Sequence, residues 1–293
     1  MDFEKINLNH VLAWDIETAP IQTFDENSPL FPIWKNKLRK ENLSTEELIE
    51  RFYTEAGLYP SFGTIVCISA GFFHQDKIHL RSFCGTSEKE IVDGFLDFVS
   101  KFVNNRGRVL HLGHNIIDFD LPFLRRSYSK YYNMFSYPVY MSDIGKKPWD
   151  MEELALDTMK LYKGTSFTFT SMAEVAVMLG LPSPKIDTDG SQVGKMFAEG
   201  KLSEIQKYCE GDVLTTINIL LKWMGKFPME VKVTSEKVEL PESPILTKLI
   251  NTGKISVLEK KRLETFMKEQ PVPQVALIKK TVTELHPTFE WSF

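Results

Sequence analysis

Four acidic residues and one tyrosine, spread over most of the chain, are the side chains best suited to chemistry: Asp15 and Glu17 in AWDIET, Asp120 in HNIIDFDLPFL, and Tyr208 with Asp212 in YCEGD. Folded into one place, such carboxylates repel one another. Two unit charges ~4 Å apart cost about 1 kcal/mol in water and about 4 kcal/mol at an effective dielectric near 20, so a cluster of four calls for divalent cations. Oxygen-only ligands favour Mg²⁺ or Mn²⁺ over zinc. Two such ions ~3.5 to 4 Å apart can clamp the attacking and leaving oxygens of an in-line phosphoryl displacement.

The elements that must position these residues are legible one at a time. In HVLAWDIET the β-branched and aromatic content favours a strand, with Leu12, Trp14 and Ile16 on one face and Ala13, Asp15 and Glu17 on the other. A lone DxE is equally compatible with a hydrated strand end. RVLHLGHN reads as a buried strand, followed by a turn and a helix starting near Asp120 or Pro122, where proline is well placed. An acid at that point also fits a plain helix-start preference, and Asp118 competes with Asp120 for any catalytic role.

Tyr208 and Asp212 fall at i and i+4 on a helix whose recurring positions are Ile205, Cys209, Thr216, Ile219, Leu220 and Trp223. Ser203 and Gln206 have capping-box spacing at its start. Gly211 costs that helix about 1 kcal/mol against alanine, which points to close approach of another backbone. Alone, YxxxD also describes an exposed polar face.

In order and wording, the three segments resemble the exonuclease motifs of the DEDD 3′→5′ exonucleases, in the DEDDy branch that carries tyrosine in the third motif. NIIDFDLPFL is similar to the second motif of the proofreading domain of family B DNA polymerases, where the acid after Phe is the ligand; this selects Asp120 over Asp118. The histidine branch would place His where this chain has Lys207. YPSFGTIVCIS, LDTMKLYKG and DGSQV further resemble stand-alone bacterial exonucleases of the polymerase-B type, and the resemblance runs from about Leu12 to Trp223.

It implies that Asp15 bridges two divalent cations, Mg²⁺ or Mn²⁺. Glu17 and Asp212 complete one metal site, and Asp120 supports the second through water. Tyr208 orients the attacking water without stripping its proton, because a phenol of pKa about 10 is a poor base at neutral pH.

Thr18 and Asn115 adjoin the first two motifs and are candidate contacts for the terminal nucleotide, as is Asp157 in LDTMK, otherwise a supporting acid or loop residue. His111 and His114 stand at i and i+3 in a strand, point to opposite faces, and read as packed or hydrogen-bonded residues. Cys67, Cys84 and Cys209 are odd in number and lack a CxxC, which argues against a disulfide framework or zinc ribbon and for packing roles in a reducing compartment.

The 293 residues, 43% hydrophobic and 25% charged, can bury one sizeable core and a smaller appendage. The expected fold is α/β, a ribonuclease H-like mixed sheet flanked by helices, with a small C-terminal extension. Residues 1–225 form the exonuclease domain, interrupted by an insertion at about 19–61 with helical patterns in WKNKLRKE and STEELIERFYTEAG; 226–293 form an accessory segment. Strands fit GTIVCISAGFF and KIHLRSFCG, and helices fit SEKEIVDGFLDFVSKFVNN, capped at Ser87, and SMAEVAVMLGL. Two more helical stretches follow around Leu246 to Ile250 and Val257 to Lys268.

MDFEKINLNH has no apolar signal core, and no segment approaches ~18 consecutive apolar residues, so a cytoplasmic location away from membranes is expected. A net charge of −4 disfavours extended duplex binding, although KNKLRK and LRRSYSKYY offer local cations and aromatics. The expected activity is metal-dependent 3′→5′ hydrolysis of single-stranded DNA to nucleoside 5′-monophosphates, as in DNA repair, with a polymerase or helicase acting in trans. The alternatives are the same chemistry on RNA, and a nucleic-acid-binding or assembly module that keeps the fold without catalysis.

Overall fold

In the computed structural model, the alternating run that opens on Val11 forms the expected strand, β1 (Val11–Pro20). The structure describes residues 3–74, 77–147, 150–182, 192–226, 243–252, 254–268, 278–279, 281–283, 285–287 and 289. After β1 come α1 (Phe31–Lys37), α2 (Thr45–Glu55), β2 (Gly63–His74), β3 (Lys77–Cys84), α3 (Glu88–Arg106), β4 (Leu110–Gly113) and α4 (Asp120–Ser129). The chain continues through α5 (Met151–Leu154), β5 (Ala155–Asp157), α6 (Thr158–Lys163), α7 (Met172–Met178), α8 (Val193–Ala198) and α9 (Leu202–Trp223).

The sheet order is β3-β2-β1-β4-β5. β1–β2 and β2–β3 pair antiparallel, whereas β1–β4 and β4–β5 pair parallel. This mixed sheet, with helices on both faces, is the ribonuclease H-like arrangement. β5 is the element the sequence did not disclose: three residues are too few to show alternation, and LDTMK read as a loop.

β1 lies at the centre and is buried on both sides. Leu12, Trp14 and Ile16 pack with Phe95 and Val99 of α3 and Phe123 of α4. Val11 and Ala13 face Val213, Ile217 and Leu221 of α9. Fully burying side chains of this size stabilises the domain by roughly 1.5 to 3 kcal/mol each. Gly71 of β2 allows α9 to lie directly on the sheet, since a Cβ there would fall 2.9 Å from both Ile217 and Val213. His111 is packed as expected, its Nδ1 accepting from Trp14 Nε1 at 3.0 Å and its Nε2 donating to the Tyr140 carbonyl at 2.8 Å, whereas His114 lies just past the end of β4, not within the strand, and is half-buried and hydrogen-bonded. Burial pushes the His111 imidazole down to about 4, so it stays neutral.

The insertion builds its own core, in which Trp34 and Phe52 are fully buried and Trp34 Nε1 donates to the Leu48 carbonyl. α1 starts earlier than WKNKLRKE implied because Pro32 favours the first turn. Two further expectations are corrected. α9 begins at Leu202 after Gly200 at φ 74°, so its N-cap is Lys201 and Ser203 sits inside the first turn without capping it. Cys67 and Cys84 stand directly opposite each other on β2 and β3 and are joined by a disulfide, leaving Cys209 as a free thiol. Strand register brought them together where a count of cysteines gave no hint, so cysteine usage no longer argues for a reducing compartment.

The chain divides into two compact units, Met1–Ser235 and Glu236–Phe293. The second contains α10 (Pro244–Thr252) and α11 (Val257–Lys268) around Leu246, Leu249, Leu263 and Met267. Asp189, Gly190 and Ser191 of DGSQV, and the proline-punctuated stretch 227–242, lie outside the described residues.

One buried carboxylate ties the scaffold together. Glu88, at the start of α3, accepts from the Ile65 N–H of β2, Ser127 Oγ of α4, Lys130 Nζ and Tyr131 OH. Glu88→Ala would strand the Ile65 N–H and the Lys130 ammonium together, and should cost about 3 kcal/mol in urea unfolding. A loss below about 1 kcal/mol would show that the network is not what anchors α4.

Candidate active site

Three elements deliver carboxylates to one place. β1 projects Asp15 and Glu17 toward α9, where oxygens of both lie within 4.8 Å of each other and of the Cys209 sulfur. A register shift after Glu17 pairs Glu17 with Cys67 but Thr18 with Ile65, a bulge that changes the strand's twist at the second acid. Asp120 opens α4 and points back at β1, its Oδ1 accepting the Ile16 N–H at 3.1 Å. Asp212 lies one turn beyond Tyr208 on α9, and both are half-buried. Asp118 is exposed and paired with Lys160 at 2.7 Å, whereas Asp120 is buried.

The electrostatics record how crowded the carboxylates are. Burial, then the charges of Asp120, Glu17 and Asp212, push Asp15 well above the carboxylate range. Glu17 is raised by burial and then by Asp212 and Asp120. Burial raises Asp120 to about 8 against the opposing help of the Ile16 N–H, and raises Asp212 to about 7. Without cations these acids are harder to ionise than ordinary carboxylates. The donor set fits hard divalent ions: four acids supply oxygens, while the buried Cys209, itself raised well above its usual range, remains a thiol.

The candidate contact residues fare differently. Thr18 Oγ1 donates to the Gly57 carbonyl at 2.8 Å, joining β1 to the insertion. Asn115 is half-buried at φ 64°, a conformation asparagine tolerates. Asp157 is buried, and its two oxygens accept four backbone N–H groups, from Asn115, Ile117, Met159 and Lys160. It therefore braces the loop between β4 and α4 and has little capacity left for a nucleotide. Of the LRRSYSKYY run, Arg125 is spent on Asp143, and Lys130 and Tyr131 on Glu88.

Two readings of α9 change. Among the described residues, none approaches within 4 Å of a Cβ built at Gly211, so the close backbone approach expected there is not found and the space at Gly211 is open. Cys209, read as a packing residue, places its sulfur 3.4 Å from the Asp15 carbonyl and 3.6 Å from Asp15 Oδ2. Its position three residues before Asp212, on the same helix face, was the available signal.

A ribonuclease H-like sheet that carries acids on β1, α4 and α9 is an architecture suited to a carboxylate-centred nuclease. Its membership is more specific. Residues 56–269 match the model of a family described as predicted 3′-5′ exonucleases related to the exonuclease domain of PolB, and the chain belongs to that family. It is a 3′-5′ exonuclease by that membership, and nucleic acid is its substrate class. No curated protein matches the sequence. Among solved structures, the chain is similar to the family B DNA polymerase from the hyperthermophilic archaeon Pyrobaculum calidifontis, at 17% identity and a TM-score of 0.42, covering 73% of this chain and 24% of that one. The chain thus spans about a quarter of that polymerase's length. Among the described residues, no helix is long and apolar enough to cross a membrane.

The raised acids make stability depend on pH with a definite sign. An acid whose folded value lies near 8 against an ordinary 3.8 contributes stability that is complete below about 4 and is lost as pH rises through about 8. In chelator, the melting temperature should therefore fall across that window, and Asp120→Asn should flatten the fall by several degrees, at about 2 to 4 °C per kcal/mol. An Asp120→Asn profile parallel to the parent would show that Asp120 does not carry the strain.

Proposed function

We propose that the chain hydrolyses single-stranded DNA from its 3′ end to nucleoside 5′-monophosphates, using Asp15, Glu17, Asp120 and Asp212 to hold two divalent cations, Mg²⁺ or Mn²⁺. The observation that carries this reading is the convergence of acids from three separate elements, among which Asp15 and Glu17 are held above the carboxylate range by burial and by the neighbouring acids, with Tyr208 one turn from Asp212. When bound, the ions would neutralise the acids and supply positive charge at the attacking and leaving oxygens.

The protein's own groups do the rest. Asp15, whose carboxyl feels the charges of all three other acids, would be the shared ligand; Glu17 and Asp212 would complete one site, and Asp120 would support the second. The Ile16 N–H holds Asp120 Oδ1 against β1 and so fixes the carboxylate at the start of α4. The Tyr208 hydroxyl orients the attacking water by hydrogen bonding. Asn115, on the loop leading to Asp120, and Thr18, at the end of β1, border the position of the terminal nucleotide.

In this reading residues 1–225 are catalytic and 226–293 accessory. A polymerase or helicase in trans supplies 3′ ends, in the cytoplasm. DNA is favoured over RNA because the family is related to the exonuclease domain of a DNA polymerase.

The test is digestion of end-labelled single-stranded DNA and RNA of one sequence in Mn²⁺ or Mg²⁺. Stepwise shortening from the 3′ end is expected, faster on DNA, abolished by chelator and lowered at least about 10³-fold by Asp15→Ala. Tyr208→Phe should lower turnover about 10²-fold while Mn²⁺ binding, measured by calorimetry, stays near that of the parent. Faster digestion of RNA would reassign the substrate. A Tyr208→Phe protein that no longer binds Mn²⁺ would remove the water-orienting role.

A further inference from the structure

The loop between α6 and α7 displays aromatic side chains for which the fold has no use. Gly164 ends α6 at φ 58° and ψ −126°, a conformation that residues with a Cβ avoid. The chain then turns: the Ser166 N–H donates to the Lys163 carbonyl at 3.1 Å, and the Thr168 N–H donates to Ser166 Oγ at 3.2 Å. Two phenylalanines on this turned segment face solvent, Phe167 at 103% relative exposure and Phe169 at 67%.

The next residue, Thr170, is buried at 5%, and its carbonyl accepts from His114 Nε2 at 2.9 Å. His114 Nδ1 accepts from Thr158 Oγ1, at the start of α6, also at 2.9 Å. His114 immediately precedes Asn115, in the loop that leads from β4 to Asp120. The display is thus pinned to the segment that positions the second motif.

The local chemistry selects the occupant. Between the two helices the loop sets the two rings among small and hydroxyl-bearing residues, Gly164, Thr165, Ser166 and Thr168. Isolated aromatic faces among hydroxyls, with Lys163 at the loop's base, suit bases joined by a phosphate backbone. We propose that Phe167 and Phe169 are a stacking platform for bases of the single strand whose 3′ end reaches the carboxylate centre. The proposal rests on the exonuclease reading above and identifies where that substrate is held.

Binding tests it without catalysis. Fluorescence anisotropy in EDTA would compare a labelled oligothymidylate and its abasic counterpart against the parent, the Phe167→Ala/Phe169→Ala double variant and the Phe167→Tyr/Phe169→Tyr double variant. The parent and the tyrosine pair should prefer the base-bearing strand, and the alanine pair should lose about 10- to 100-fold in affinity for it and bind both strands alike. The proposal is overturned if the alanine pair binds oligothymidylate as the parent does, or loses affinity for both strands equally. It is equally overturned if light scattering shows the alanine substitutions dissolving a dimer, which would make the loop a contact between copies. Failure of the parent to shorten DNA or RNA in Mn²⁺ would refute the exonuclease reading while leaving the anisotropy result standing.

Discussion

The rest of this structure is organised around a repulsion. Asp15, Glu17, Asp120 and Asp212 are held close enough that each is harder to ionise because of burial, and Asp15 and Glu17 also because of the other acids. A flexible chain would relieve this by separating them, at a saving of several kcal/mol in a low-dielectric site. The acids stay together because none can move alone. β1 is paired on both sides in the middle of the sheet, α9 is seated on the Gly71 surface, and α4 is tethered at its first residue to the Ile16 N–H. The strain is what gives such a centre its appetite for cations, since every charge brought in lowers the energy of four groups at once.

Holding the acids in place uses further carboxylates whose chemistry is only structural. Glu88 gathers β2, α3 and α4, and Asp157 gathers the loop before α4 and the start of α6. Both are buried, and both are fully satisfied by donors, which is the condition under which a buried charge stabilises instead of costing. Between them they fix both ends of the segment 113–130 that presents Asp120. The contrast with the centre is physical: Glu88 and Asp157 meet N–H, O–H and ammonium groups, whereas Asp15 and Glu17 meet mostly other acids.

Much of this was legible in the sequence because it depends on short periodicities. The alternation Leu12, Trp14, Ile16 against Ala13, Asp15, Glu17 fixed the two faces of β1, and the i, i+4 spacing of Tyr208 and Asp212 placed them on one side of α9. What was not legible depends on register between distant segments. Cys67 meets Cys84 only because of how β2 and β3 pair, and Asp157 belongs to a three-residue strand recognisable only by its neighbour β4. Gly211 misled for a related reason: low helix propensity signals that a position is special, but not whether the space beside it is filled or open.

The charge balance constrains how such a protein can grip its polymer. With a net charge of −4 and an acidic centre, long-range attraction to phosphate is weak, and several basic residues are already spent internally: Arg125 on Asp143, Lys130 on Glu88, Lys89 on Asp93, Lys160 on Asp118. A grip built on many phosphate contacts would need those cations free and would weaken steeply with salt. Stacking has neither requirement, since it needs only aromatic faces that water covers poorly, and it tolerates any base. Under the proposed reading, an enzyme that shortens a strand one residue at a time would gain from such a hold, because the same rings would receive each new nucleotide as the strand advances.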